Sequence, residues 1–185
     1  MIKSVGNRKF LGGLLVAALM CSASLSAIAR DVDKKDYNSD QVSVTWNDPA
    51  QFSELHYGFQ FQQPKPEVWL TEFQKTLVKR ADHVLKPGQH LSITITDVKL
   101  AGRVEPFHGA GASDIRVVKS IYPPEIELTF SLTGSDGQVL DSGERKLRDI
   151  AFLDRGSVNR SEAYRFEKRM LKEWVDKEFG RKNAG

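Results

Sequence analysis

From residue 41 onward the apolar positions of this chain follow two alternating periods, and the changes of period mark the elements. Val42, Val44 and Trp46 alternate with polar residues, the period-two signature of a half-buried strand, and Asn47-Asp48-Pro49 supplies the turn chemistry that stops it. Pro66 to Lys86 changes period: Leu70, Phe73, Leu77, Ala81 and Val84 recur at helical spacing. Glu72, Lys75, Lys79 and Asp82 occupy the opposite face, and Pro87-Gly88 closes the helix. Alternation returns from Leu91 to Val98, where Leu91, Ile93 and Ile95 face inward and Ser92, Thr94 and Thr96 outward. Ile115 to Lys119 predicts a short strand. Ile126 to Leu132 predicts a longer one, which Gly134-Ser-Asp-Gly137 turns back from Gln138 toward Leu147 as a hairpin. Last comes a helix over about Ser161 to Phe179, with Ala163, Phe166, Met170 and Trp174 as its stripe and Leu171, Val175 and Phe179 widening it. Asn159 and Glu162 read as its capping pair and Gly180 as its C′ residue, while Arg165, Lys168, Arg169, Lys172 and Asp176 read as solvated faces.

Strand, helix, strand in that order implies a parallel pair joined by a right-handed crossover, and the hairpin adds antiparallel strands. The predicted fold class is α+β. It is a two-layer sandwich with a mixed, mainly antiparallel sheet and two long amphipathic helices, in the order β-α-β-β-β-α.

The first 29 residues have a different pattern. Lys3, Arg8 and Lys9 precede a short apolar run from Phe10 to Met20, and Ala27-Ile28-Ala29 is a small-x-small cleavage site, the layout of a secretory signal peptide. The run is shorter than the roughly 20 residues needed to span a bilayer. The expected organisation is a signal at 1–29, a disordered leader at 30–40 rich in Asp and Lys, one domain at 41–180 and a tail at 181–185. The expected location is the periplasm. Cys21, the sole cysteine, sits within the signal after Met20, a residue too large for the position preceding a lipid-modified cysteine, so the pattern argues against a lipoprotein.

This leader changes the charge argument. It takes three of the chain's 27 basic residues and none of its 24 acidic ones, leaving 24 of each in the mature part. A neutral domain lacks the field that draws a protein onto nucleic acid, and neither nucleic acid nor a transmembrane segment is expected. The cysteine-free mature chain has no thiolate for a metal site or a nucleophile.

Candidate chemistry is thin. His56, His83, His90 and His108 form no metal-ligand spacing, and neither a metal nor another cofactor is expected. Phe107-His108-Gly109-Ala110-Gly111 has the look of an oxyanion loop but lacks the Gly-x-Ser-x-Gly elbow that would accompany it. The carboxylates Asp97, Glu105, Asp114, Asp141 and Asp149 are dispersed.

One set of motifs goes further: Asp97-Val-Lys-Leu-Ala-Gly102, Asp114-Ile-Arg116-Val, Tyr122-Pro-Pro124, Tyr164-x-x-Glu167-x-x-Met170-Leu with Trp174, and Val44-Thr-Trp46-Asn-Asp48-Pro with Phe52. Together they resemble an exported bacterial family catalogued as domain of unknown function 3016, across essentially the whole mature chain. The resemblance implies a proteobacterial envelope setting and no activity. Position 103 is Arg, where an acidic residue is expected after Leu-Ala-Gly. On physical grounds Leu100-Ala-Gly102 would let a strand end bend closely against its neighbour, and Arg116 would pair with Asp97 or Asp114.

The resulting expectation is a non-enzymatic accessory or binding protein of the envelope that contacts another envelope protein or a small ligand. Asp97, Arg103, His108, Asp114 and Arg116 are the candidate binding residues, with none assigned to catalysis, and single alanine replacements at His108, Asp114 and Arg116 are expected to leave folding nearly intact. An exposed sheet edge could also recruit a second copy of the chain. The competing reading is a small envelope hydrolase for cell-wall or sugar substrates, built on Asp97, His108 and Asp114.

Overall fold

Val42–Trp46 forms the first strand, β1, with Val42 and Val44 buried and Ser43 and Thr45 exposed. The computed structural model describes residues 36–56, 65–105, 115–156 and 161–180, all within the unit Lys35–Gly185. A 3-10 turn at Pro49–Gln51 leads into a single helical turn, α1 (Ser53–His56). The long helix α2 (Pro66–Val84) carries Trp69, Leu70, Phe73, Leu77 and Ala81 inward. Strand β2 (His90–Lys99) follows, then a two-residue ribbon of β3 (Arg103–Val104) and β4 (Arg116–Val117), then the hairpin of β5 (Glu125–Thr133) and β6 (Val139–Arg148). Helix α3 (Arg165–Val175) runs into a wider turn at Asp176–Gly180.

The main sheet has the order β1-β2-β5-β6. β1 and β2 are parallel, as the crossover through α2 requires, and the remaining pairs are antiparallel. The predicted α+β architecture is the observed one, mixed sheet and two long helices included. Register explains why only one face is covered. Leu91, Ile93, Ile95, Ile126, Leu128, Phe130 and Leu132 turn toward the helices. The outward rows instead read Ser43, Ser92, Ser131, Ser142 and Thr45, Thr94, Thr129, Glu144 across the four strands, a surface for water rather than a second layer.

Three details differ from the sequence expectation. The short strand near Ile115 pairs with β3 outside the main sheet. Helix α3 begins at Arg165, four residues late, because Tyr164 takes the left-handed conformation (φ 54°) and breaks the helical path; it donates no side-chain cap. Asn159, the expected partner in a capping pair, lies outside the described residues. Finally, the charges assigned to solvated faces are partly structural. Lys168 is 8 % exposed and donates to Glu72 of α2 at 2.8 Å, and Arg169 donates to Asp149 at 3.1 Å and to the Phe152 carbonyl at 2.9 Å. Glu72 is held below its ordinary pKa by those hydrogen bonds, first from Lys168 and then from Lys75.

Both sheet edges are managed by side chains. At β1 the Val44 amide donates to Asn38 Oδ1 at 2.8 Å and the Val44 carbonyl accepts from Gln74 of α2 at 3.3 Å. At β6 no apolar residue is buried. Arg145 points inward there, covers the Phe130 ring at 4.8 Å and reaches Glu178 at 2.9 Å, an inward charge of the kind that discourages strand addition.

Phe73 is fully buried between Trp69 (5.7 Å) and Tyr164 (6.0 Å), and Trp174 packs on Phe130 (5.9 Å) and Phe179 (5.6 Å). Phe73→Ala and Trp174→Ala are each expected to destabilise the fold by about 3–5 kcal/mol through lost burial and residual cavity. Denaturant melts measure this, and losses below about 1 kcal/mol for both would contradict the packing described.

Candidate functional site

β2 leaves the sheet after Lys99, and the chain bends through Leu100, Ala101 and Gly102. A buried bend leaves amides and carbonyls without ladder partners, each of which would cost about 1–3 kcal/mol if unmet. Charged side chains from three other elements meet them. The Leu100 amide donates to Glu54 Oε2 of α1 at 2.7 Å, and the next amide, Ala101, donates to Glu167 Oε1 of α3 at 2.7 Å. The Gly102 amide donates to the Tyr122 carbonyl at 3.0 Å. Arg116 of β4 returns the favour, its Nη1 donating to the carbonyls of Ala101 (3.3 Å) and Gly102 (2.8 Å) while Nη2 pairs with Glu54 Oε1. Gly102 is required where it stands: its φ is +81°, and a Cβ would lie 2.8 Å from the Val117 carbonyl oxygen.

Asp97 completes the arrangement one step earlier in the strand. A register shift between Ile95 and Asp97 breaks the alternation of β2, and the carboxylate accepts from the Ser53 amide at 2.6 Å and the Ser53 hydroxyl at 2.7 Å. It therefore fixes the start of α1, whose next residue is Glu54. The chain from Asp97 to Gly102 is thus clasped to α1, α3 and β4 at successive residues.

The clasp buries two carboxylates and joins one of them, that of Glu54, to a guanidinium whose side chain stays partly exposed. Glu54 and Glu167 are 4 % and 2 % exposed, so no substrate reaches them in this conformation. Burial pushes the Glu167 carboxyl above its ordinary pKa, opposed by the Ala101 amide. Burial also raises that of Glu54, against the pull of Arg116 and the Leu100 amide, with the charge of Glu167 adding to the rise. Raised carboxyl pKa values commonly mark acid catalysts, but here the oxygens accept backbone and guanidinium hydrogens. The chemistry this geometry performs is the fixing of a bend.

Of the candidate residues, Asp97 and Arg116 come together in the clasp, although Arg116 pairs with Glu54 rather than with Asp97 or Asp114. Arg103 stands exposed on β3, beside β4. His108 and Asp114 lie outside the described residues. Two of the dispersed carboxylates are engaged by other partners: Glu105 accepts from Lys119 at 2.7 Å and from the Tyr122 hydroxyl at 3.0 Å, and Asp149 is held by Arg169. Among the described residues no three potential metal ligands gather. Glu54 was missing from the sequence-derived set because a four-residue helix has no periodicity to reveal it. Glu167 did leave a signal: it heads the row completed by Leu171 and Trp174, a carboxylate in line with a buried stripe.

The fold and the clasp define a two-layer α+β domain in which Asp97, Arg116 and Glu167, all from the quoted motifs, bind the backbone of the domain itself. Residues 40–177 match the family described as Protein of unknown function (DUF3016), and the chain belongs to that family. Comparisons with curated proteins and with solved structures find no match.

Arg116→Ala leaves Glu54 buried without its cation and two carbonyls without their donor. It is expected to cost about 3 kcal/mol, against the sequence-based expectation that this position tolerates alanine; a denaturant melt indistinguishable from wild type would contradict the clasp. The pH dependence has a definite sign. A carboxyl whose folded pKa is raised above its ordinary 4.5 keeps its proton in the folded state after the unfolded chain has lost it. Its contribution to stability is therefore lost as pH rises from about 4.5 through the raised value. Glu167→Gln, which keeps the oxygen acceptor for Ala101, should gain stability relative to wild type over that interval. Melts at a series of pH values test this, and a constant difference between the two proteins would refute it.

Proposed function

We propose that this chain is an exported, periplasmic accessory or binding protein of the bacterial envelope, with no catalysis of its own, acting on another envelope protein or a small ligand. The observation that carries the reading is the commitment of Asp97, Arg116, Glu54 and Glu167 to the bend at Leu100–Gly102. Three of the four belong to the motifs on which the family resemblance rests, which supports a structural part for those three residues. Support for export comes from Lys3, Arg8 and Lys9 ahead of a short apolar run and from Ala27-Ile28-Ala29. Contact with a partner then falls to exposed positions such as Arg103 and to the segment holding His108 and Asp114, since binding residues concentrate on connections.

Fractionation and N-terminal sequencing test the location: the expected product starts near Arg30 in the soluble periplasmic fraction, and an acylated Cys21 would overturn it. Crosslinking in intact cells, followed by His108→Ala and Asp114→Ala, tests the activity class. These variants should fold normally and weaken the captured contact. A hydrolytic activity on cell-wall or sugar substrates that falls by about 10²-fold or more in either variant, the scale of a lost general acid or base, would replace the binding reading with an enzymatic one.

A further inference from the structure

Helices α2 and α3 leave between them a groove of about 440 Å³, lined largely by cations, a volume within the roughly 300–1,000 Å³ range of small-molecule sites. Lys75, Lys79 and His83 follow one another at i, i+4 and i+8 along α2, and Lys172 faces them from α3. Lys75 and Lys79 are like charges one turn apart, a spacing that destabilises a helix by a few tenths of a kcal/mol, and only Lys75 has a carboxylate, Glu72, to offset it among the described residues.

The local acids are already engaged. Glu72 takes Lys75 at 2.9 Å and Lys168 at 2.8 Å, Asp176 takes Arg80, and Glu162, the one carboxylate lining the groove among the described residues, lies 3.3 Å from Lys168. Lys79 and Lys172 form no ion pair among the described residues. The groove thus holds uncompensated cations contributed by both helices, with the Thr76 side chain in its wall.

We propose that this groove is a binding site for a compact, multiply charged oxyanion, a phosphomonoester or pyrophosphate group. The donor set selects it. Lysines act as point charges and suit phosphate, whereas a planar carboxylate is best met by the fork of an arginine, and Arg80, the one arginine in the wall among the described residues, is occupied by Asp176. A phosphomonoester carries a charge of about −1.5 to −2 and three strong acceptor oxygens, enough to join Lys79, Lys172 and His83 from opposite walls. The same chemistry is offered by a free phosphorylated solute and by the headgroup of a phosphorylated lipid. The proposal builds on the binding reading but uses a different surface, so an empty groove would leave the crosslinking result untouched.

The test is titration of the whole mature protein with pyrophosphate, and separately with phosphatidylcholine vesicles with and without phosphatidic acid, followed by calorimetry and by NMR of the His83 ring. The variants are Lys79→Gln and Lys172→Gln, singly and together, with Arg148→Gln on β6 as a control outside the groove. Saturable binding of pyrophosphate is expected, weakened by at least about tenfold in the double variant, the scale of one lost charge-assisted hydrogen bond, and unchanged in the control. Binding only to the phosphatidic acid vesicles, with the same dependence on the variants, supports the site and identifies a lipid source. Absence of saturable binding to either probe overturns the proposal. So does binding that the double variant, checked by circular dichroism to be folded, leaves unchanged.

Discussion

Two consecutive backbone amides, those of Leu100 and Ala101, are held by two buried glutamates from opposite ends of the chain, and the rest of the architecture hangs on this contact. A strand that must leave its sheet inside the protein exposes peptide groups where water is scarce, each of which costs about 1–3 kcal/mol if unmet. The chain meets two of them with Glu54 and Glu167. In doing so it ties the short helix after β1 and the first turn of α3 to two adjacent residues of the bend that follows β2. Arg116 closes the arrangement by donating to the carbonyls on the other side of that backbone and to Glu54.

The electrostatics of such a knot favour specificity over raw stability. Bringing ions into a dry site costs several kcal/mol each, and well-packed apolar residues could often replace them without loss. Removing a single member is another matter, because it strands the others. Here the bend is also sterically defined by Gly102, whose left-handed backbone and close approach to Val117 admit no side chain. Together these features admit one path for the chain between β2 and the β3–β4 ribbon.

Much of the fold was legible in the sequence, because each main element buries a face by simple periodicity. Val42 and Val44, Leu91 to Ile95 and Ile126 to Leu132 alternate in the sequence and in space, and α2 lies within two residues of its expected end. Periodicity stops being informative where side chains bind backbone across long separations. Asp97 read as a candidate binding residue, yet it caps a helix that starts 44 residues away. Arg116 needed a partner, but α1 is too short to betray Glu54 as a buried residue, and no local rule brings positions 54, 100 and 167 together. The start of α3 was misplaced for a related reason: a left-handed tyrosine at 164 is set by packing against Phe73, not by propensity.

Burying acids for the sake of the backbone has an electrostatic consequence at the surface. Glu54, Asp149 and Glu167 are withdrawn from solvent, whereas Lys168 is the one basic residue buried to a comparable degree among the described residues. Those removals leave acidic and basic side chains close to balance among the described residues, and the remaining charge is not spread evenly. Where α3 packs on α2, the remaining acids are used to staple the two helices through Lys168 and Arg80, and Lys79 and Lys172 are left facing a groove. A potential confined to a single groove acts over about one Debye length, roughly 8–10 Å at physiological salt. It selects small charged groups that enter the groove and leaves the long-range behaviour of the protein close to that of a neutral one.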